Sequence, residues 1–159
     1  MKFFVQIPSA IFGSSMSGFV KTRRTIMPTS IATLPGWSWA SPQRALDDLN
    51  KVIELAPEPV AFILRGEVYR FLREHEKAVV DYAHAEALDP DDWQDNGFCL
   101  LYQADAHAHL GNEAAALACC ARLPDDFWTP GMNNTPGGGK AEIAEKLRRI
   151  AVDAQQRRV

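Results

Sequence analysis

Thr135-Pro-Gly-Gly-Gly-Lys140 is the stretch closest to a phosphate-binding loop, whose backbone N–H groups cradle an anion while a lysine reaches its charge. That loop requires Gly, four residues, then Gly-Lys and a Ser or Thr. Here Asn134 stands where the first Gly belongs, Ala141 follows Lys140, and no strand pattern precedes them. The glycines read instead as a flexible loop ahead of a helix. His107 and His109 are candidate metal ligands, but two residues apart they stand roughly 200° around a helix and cannot converge on one ion. Adjacent Cys119 and Cys120 diverge in the same way. Cys99, His107 and Cys120 lack the paired-ligand spacing of a tetrahedral zinc site and read as core residues. No serine or cysteine is placed with a base and an orienting carboxylate. Asp91-Asp92 and Asp125-Asp126 fall in expected turns, where they serve as helix caps. The residues therefore predict no catalytic group, no metal and no cofactor.

The elements around them are helical. Phe62, Gly66 and Tyr69, spaced four then three, share one helical face. Ala78, Tyr82 and Ala85 repeat that spacing on a second helix. Gly66 and Ala78 are the small residues that let the two approach. Arg73-Glu74-His75 makes the turn, and Pro90 after Leu88-Asp89 ends the unit. Upstream, Ala45 to Leu55 has the pattern of another second helix, with Ala45, Leu49, Val52 and Ile53 facing inward. Its closing Pro57 precedes Pro90 by close to one full unit. Downstream, Leu100, Ala104 and His107 mark a first helix, Leu110-Gly111-Asn112 a turn, and Ala116, Cys120 and Leu123 a second helix. Gly111 falls four residues later than a 34-residue period from Arg73 requires, about one helical turn, so an insertion near Trp93 to Asn96 lengthens a helix without rotating its faces.

Residues 59–92, PVAFILRGEVYRFLREHEKAVVDYAHAEALDPDD, resemble one complete tetratricopeptide repeat, a 34-residue helix–turn–helix unit. The family more often has Gly where Arg73 stands. The resemblance extends, more loosely, over about residues 42 to 124. It implies an all-α, short right-handed α–α superhelix of about two and a half hairpins, used for protein–protein interaction. One subgroup of the family captures a peptide carboxylate with Lys, Asn and Arg. This chain has Ile63, Glu67, Phe98 and Tyr102 at those positions, which argues against carboxylate capture.

Stacked repeats line their concave face with the first helix of each hairpin. The expected partner-binding groove is therefore Val60, Ile63, Glu67, Arg70 and Phe71 with Phe98, Leu101, Tyr102, Asp105 and His109. Its mix of apolar, aromatic and oppositely charged residues suits an apolar helix or extended peptide rather than a polyanion. A protein- or peptide-binding adaptor is the functional expectation, and a homo-oligomerisation module is the alternative.

Residues 125–139 read as a loop. From Lys140, Ile143, Leu147 and Ile150, with Ala144, Ala151 and Ala154, mark an amphipathic helix to about residue 158 that caps the 41–124 repeat domain. The net charge of −3 argues against a nucleic-acid partner. No stretch approaches the roughly 18 apolar residues of a membrane span. Three cysteines that cannot all pair favour a reducing compartment such as the cytoplasm. The first 46 residues carry +5 and no acid, so residues 1–40 form an irregular basic leader. Disorder, an organelle transit peptide, an export signal, or translation starting at Met16 or Met27 would each explain it. Trp37 and Trp39 are expected to cover Leu46, Leu49 and Ile53, in place of the missing partner helix.

Overall fold

Prolines open the first two helices, since proline at a first helical position gives up only an N–H that has no helical partner. The computed structural model describes residues 41–91, 97–131 and 134–157. Among them the elements run α1 (Pro42–Leu55), α2 (Pro59–Phe71), α3 (His75–Leu88), α4 (Gly97–His109), α5 (Glu113–Ala121), β1 (Trp128–Thr129), β2 (Gly138–Gly139) and α6 (Lys140–Gln156). The protein is all-α apart from that small ribbon. The expected Trp37 and Trp39 cover, the rest of the leader and the Trp93 to Asn96 insertion lie outside the described residues.

Each helix packs on the next: α1 on α2, α2 on α3, α3 on α4, α4 on α5, and α6 against both α4 and α5. α2 and α3 approach closely. A Cβ on Gly66 would lie 2.6 Å from Cε1 of Tyr82, so only glycine fits there. Ala78, Tyr82 and Ala85 on the facing helix are completely buried, as their spacing predicts. Arg65 then clamps three helices together. Its guanidinium donates twice to Asp81 on α3, at 2.8 and 2.6 Å, and once to Asn50 on α1 at 2.7 Å. This fork geometry is the one that arginine makes well and lysine cannot.

The two hairpin turns are copies of one another. Arg73 has φ 60° and Gly111 has φ 73°. The Arg73 N–H donates to Arg70 O, and the Glu74 N–H to Tyr69 O. The Gly111 N–H donates to Ala108 O, and the Asn112 N–H to His107 O, the same pattern one hairpin later. Both are Schellman endings, in which a left-handed residue returns two N–H groups to the last helical carbonyls. α3 and α5 each begin two residues after the left-handed position.

Two expectations shift in detail. On α1 it is Leu46 and Leu49 that are buried, while Ala45, Val52 and Ile53 are half-buried. The inward stripe of α1, which packs on α2, is thus turned toward Leu46. The segment 125–139 is also more than a loop. Trp128 pairs with Gly139 and Thr129 with Gly138 in an antiparallel ladder, burying Thr129. Just beyond it, α6 starts with the Glu142 carboxylate accepting from the Gly139 N–H. It buries Ile143, Leu147, Ala151 and Ala154, with Ile150 half-buried. Gln155 ties its far end to the Gly111 carbonyl at 2.6 Å. No helix among the described residues is long and apolar enough to cross a membrane.

Two substitutions test this packing. Gly66→Ala gains helix propensity but drives a methyl into a buried ring, so a net loss of about 1–2 kcal/mol in urea unfolding is expected. Arg73→Gly relieves the left-handed backbone of a side chain and should raise stability by about 0.5–1 kcal/mol in the same assay.

Candidate functional site

The ten residues expected to line a groove divide sharply by burial. Ile63, Glu67 and Arg70 on α2, with Leu101, Tyr102 and Asp105 on α4, are buried. Phe98 and His109 are half-buried. Val60 and Phe71 are exposed, near opposite ends of α2. The middle of the face is therefore a charge cluster inside the protein, with apolar contact points toward the ends of α2.

Helical spacing assembles the cluster. Glu67 and Arg70 are one turn apart on α2, and Tyr102 and Asp105 one turn apart on α4. Glu67 stands as far before the left-handed Arg73 as Asp105 does before Gly111, so the two occupy the same place in successive hairpins. Arg70 Nη1 donates to Asp105 Oδ2, and the guanidinium lies over the Tyr102 ring with Cζ 4.9 Å from its centre. Tyr102 in turn packs at 6.5 Å against Tyr82 of α3 and against Phe98. The other Asp105 oxygen stands 3.7 Å from His109 Nε2. His109 stacks on His75, the first residue of α3, with ring centres 4.5 Å apart and planes 10° from parallel.

Burial dominates the electrostatics here. It pushes the Glu67 carboxyl up to about 7, and the nearby Arg70 charge only partly offsets it. Burial likewise raises the Asp105 carboxyl against the pull of Arg70 and His109. Burial works against the Arg70 charge, yet Tyr82, Asp105 and Glu67 together move its pKa up. His75 is driven down to about 4 by burial, reinforced by His109, Arg70 and Arg73. His109 also moves down through burial, despite Asp105 beside it. Both shifts favour the uncharged imidazole.

The residues singled out for metal or thiol chemistry take other roles. No group of His, Cys, Asp and Glu suited to a metal ion occurs among the described residues. Cys99, Cys119 and Cys120 are buried. The Cys119 Sγ lies 3.5 Å from Gln103 Oε1, and burial raises its pKa to about 11, so it is a thiol rather than a thiolate. Cys120 is raised by burial too, with its Sγ 3.7 Å from the Lys140 carbonyl. The Lys140 ammonium, the would-be phosphate lysine, donates to Leu123 O at 2.7 Å and Asp125 Oδ1 at 2.9 Å.

His75 is the one member of the cluster that periodicity does not mark, because the sequence places it in a turn, whereas the structure makes it the first residue of α3, outside the Ala78, Tyr82, Ala85 stripe. Only the packing of the start of α3 on the end of α4 brings it to His109. The Arg70–Asp105 pairing has a faint signal, opposite charges on the two groove-lining helices.

The Glu67 carboxyl makes a signed prediction. The folded protein keeps its proton to about pH 7 while the unfolded chain releases it near 4.5, so Glu67 costs stability as pH rises through that window. Glu67→Gln mimics the protonated acid. It should be near neutral at pH 5 and stabilising by up to about 3 kcal/mol at pH 8, read from urea unfolding at both values.

No family model, no curated protein and no solved structure matches the chain, so its functional reading rests on these residues.

Proposed function

We propose that the chain is a protein–protein interaction scaffold of the tetratricopeptide-repeat kind, holding a protein or peptide partner along the inner side of α2 and α4. The observation carrying this reading is the duplicated hairpin. The α2–α3 and α4–α5 turns share one hydrogen-bond pattern, with the following helices starting at the same offset. Duplicated hairpins stack into arrays whose first helices face one side, and such arrays function mainly by binding. The lining narrows the partner class. Glu67, Arg70 and Asp105 are committed to one another, so they select weakly for charge. Val60, Phe71 and Leu72 supply exposed apolar contact, which suits an apolar helix or extended segment. In this reading α6 seals the end of the array, with its Arg148, Arg149 and Glu145 side chains outward in ion pairs.

A second reading, self-association, is favoured by Leu55. It is 80% exposed at the end of α1, and Leu88, its counterpart at the end of α3, is exposed as well.

Selection of displayed peptides on the immobilised protein tests the first reading. Apolar peptides should be enriched, and their affinity should fall at least about tenfold, or 1.4 kcal/mol, for the Val60→Glu, Phe71→Glu double variant with unchanged circular dichroism. No enrichment, or binding indifferent to both changes, would sink it. A dimer in light scattering that Leu55→Glu and Leu88→Glu abolish would favour the second.

A further inference from the structure

We propose that the His75–His109 stack is an acid-sensitive latch, closed when both rings are neutral and released as the pair takes up protons, so that acid loosens the start of α3 from the end of α4. The inference rests on the geometry of this junction and not on the binding role.

The two rings come from different hairpins. His75 is the first residue of α3, directly after the left-handed Arg73 turn, and His109 is the last residue of α4. Stacking with ring centres 4.5 Å apart is favourable for neutral imidazoles. A proton on one ring sets a cation into an environment already rich in cations. Among the described residues, Arg70 of α2 and Arg73 of the turn face His75, and Arg70, Arg73 and Arg157 beyond α6 face His109. The anion among them that faces the pair is Asp105, and its Oδ2 already accepts from Arg70. Its Oδ1, 3.7 Å from His109 Nε2 and without a hydrogen-bond partner, is placed to favour a first proton on His109. His75 has no such anion among the described residues, and its buried Nδ1 has no hydrogen-bond partner. Once His109 is charged, a proton on His75 sets two like charges 4.5 Å apart, and separation of the rings relieves their repulsion.

The sign follows from the depressed histidines. The unfolded or locally opened chain takes up protons near pH 6.5, while the stacked form resists, so the contact is complete above that value and weakens as pH falls below it. Glu67 acts in the opposite sense over part of the same range. Global stability therefore mixes the two, and a local readout separates them.

Amide hydrogen exchange at pH 7.5 and pH 5.0, corrected for intrinsic chemical rates, reads the latch directly. In the wild-type protein, exchange of the Ala78 N–H of α3, which donates to the Glu74 carbonyl, and in the last turn of α4 should speed up at least about tenfold at pH 5.0, with the α2–α3 core unchanged. His75→Gln and His109→Gln should each reduce that acceleration to less than about threefold, because the exchange no longer couples to a proton. Titration of the ring resonances in the unmodified protein is the second measurement, and both rings should titrate below the ordinary value near 6.5. Ordinary titration of both rings, or acceleration that is uniform along the chain, would overturn the proposal. So would acceleration that is unchanged in both glutamine variants.

Discussion

The structure depends first on the contact between Gly66 and Tyr82. A phenol ring occupies the space where any other residue at position 66 would place its Cβ, so α2 and α3 approach as closely as backbone and ring permit. Ala78 and Ala85, both without exposed surface, continue that close face along α3. The approach also brings Arg65 within reach of both Asp81 oxygens and of Asn50, which joins α1 to the hairpin. On its other side Tyr82 reaches Tyr102, which carries the packing into α4. One small residue thus sets the spacing for three successive helix contacts.

Against this rigid hairpin, the inner face of α2 and α4 is chemically unusual. It places a carboxyl from each of two equivalent positions around a single guanidinium and caps that guanidinium with an aromatic ring. Ions are expensive to remove from water, and such a cluster persists only when its members compensate one another. Here compensation is incomplete, which is why burial raises the Glu67 carboxyl to about 7 and lowers both imidazoles. The cluster orients α4 on α2 through directional contacts, where the small apolar residues alone would permit sliding. It also leaves the exposed apolar residues, Val60 and Phe71, at the ends of the face rather than in its middle.

The last described helix is held by different means. α6 packs on α4 and α5 and buries Ile143, Leu147, Ala151 and Ala154. The Trp128–Gly139 ribbon and the Lys140 ammonium, fastened to Leu123 O and Asp125, fix where that helix begins. Trp128 itself remains 66% exposed on the ribbon. A glycine-rich segment that composition marks as a loop is in fact a bracket. Its Gly138, at φ 120°, and Gly137, packed against the Pro130 carbonyl, show why glycine recurs there.

Helices, turns and most buried faces are legible along the chain. Periodic Phe62, Gly66, Tyr69 and Ala78, Tyr82, Ala85 state which sides must meet, and Pro57, Pro90, Arg73 and Gly111 state where helices stop. These are short-range properties, set by backbone sterics and by the repeat of side chains around a helix. The character of the inner face is not legible in that way. Glu67, Arg70, Tyr102, Asp105 and His109 look like an open lining when read along single helices. Packing turns the middle of that lining into a closed network and recruits His75 from a neighbouring turn. Whether a charge faces solvent or another charge depends on the distance between helices, and that distance is fixed by contacts far apart in the chain.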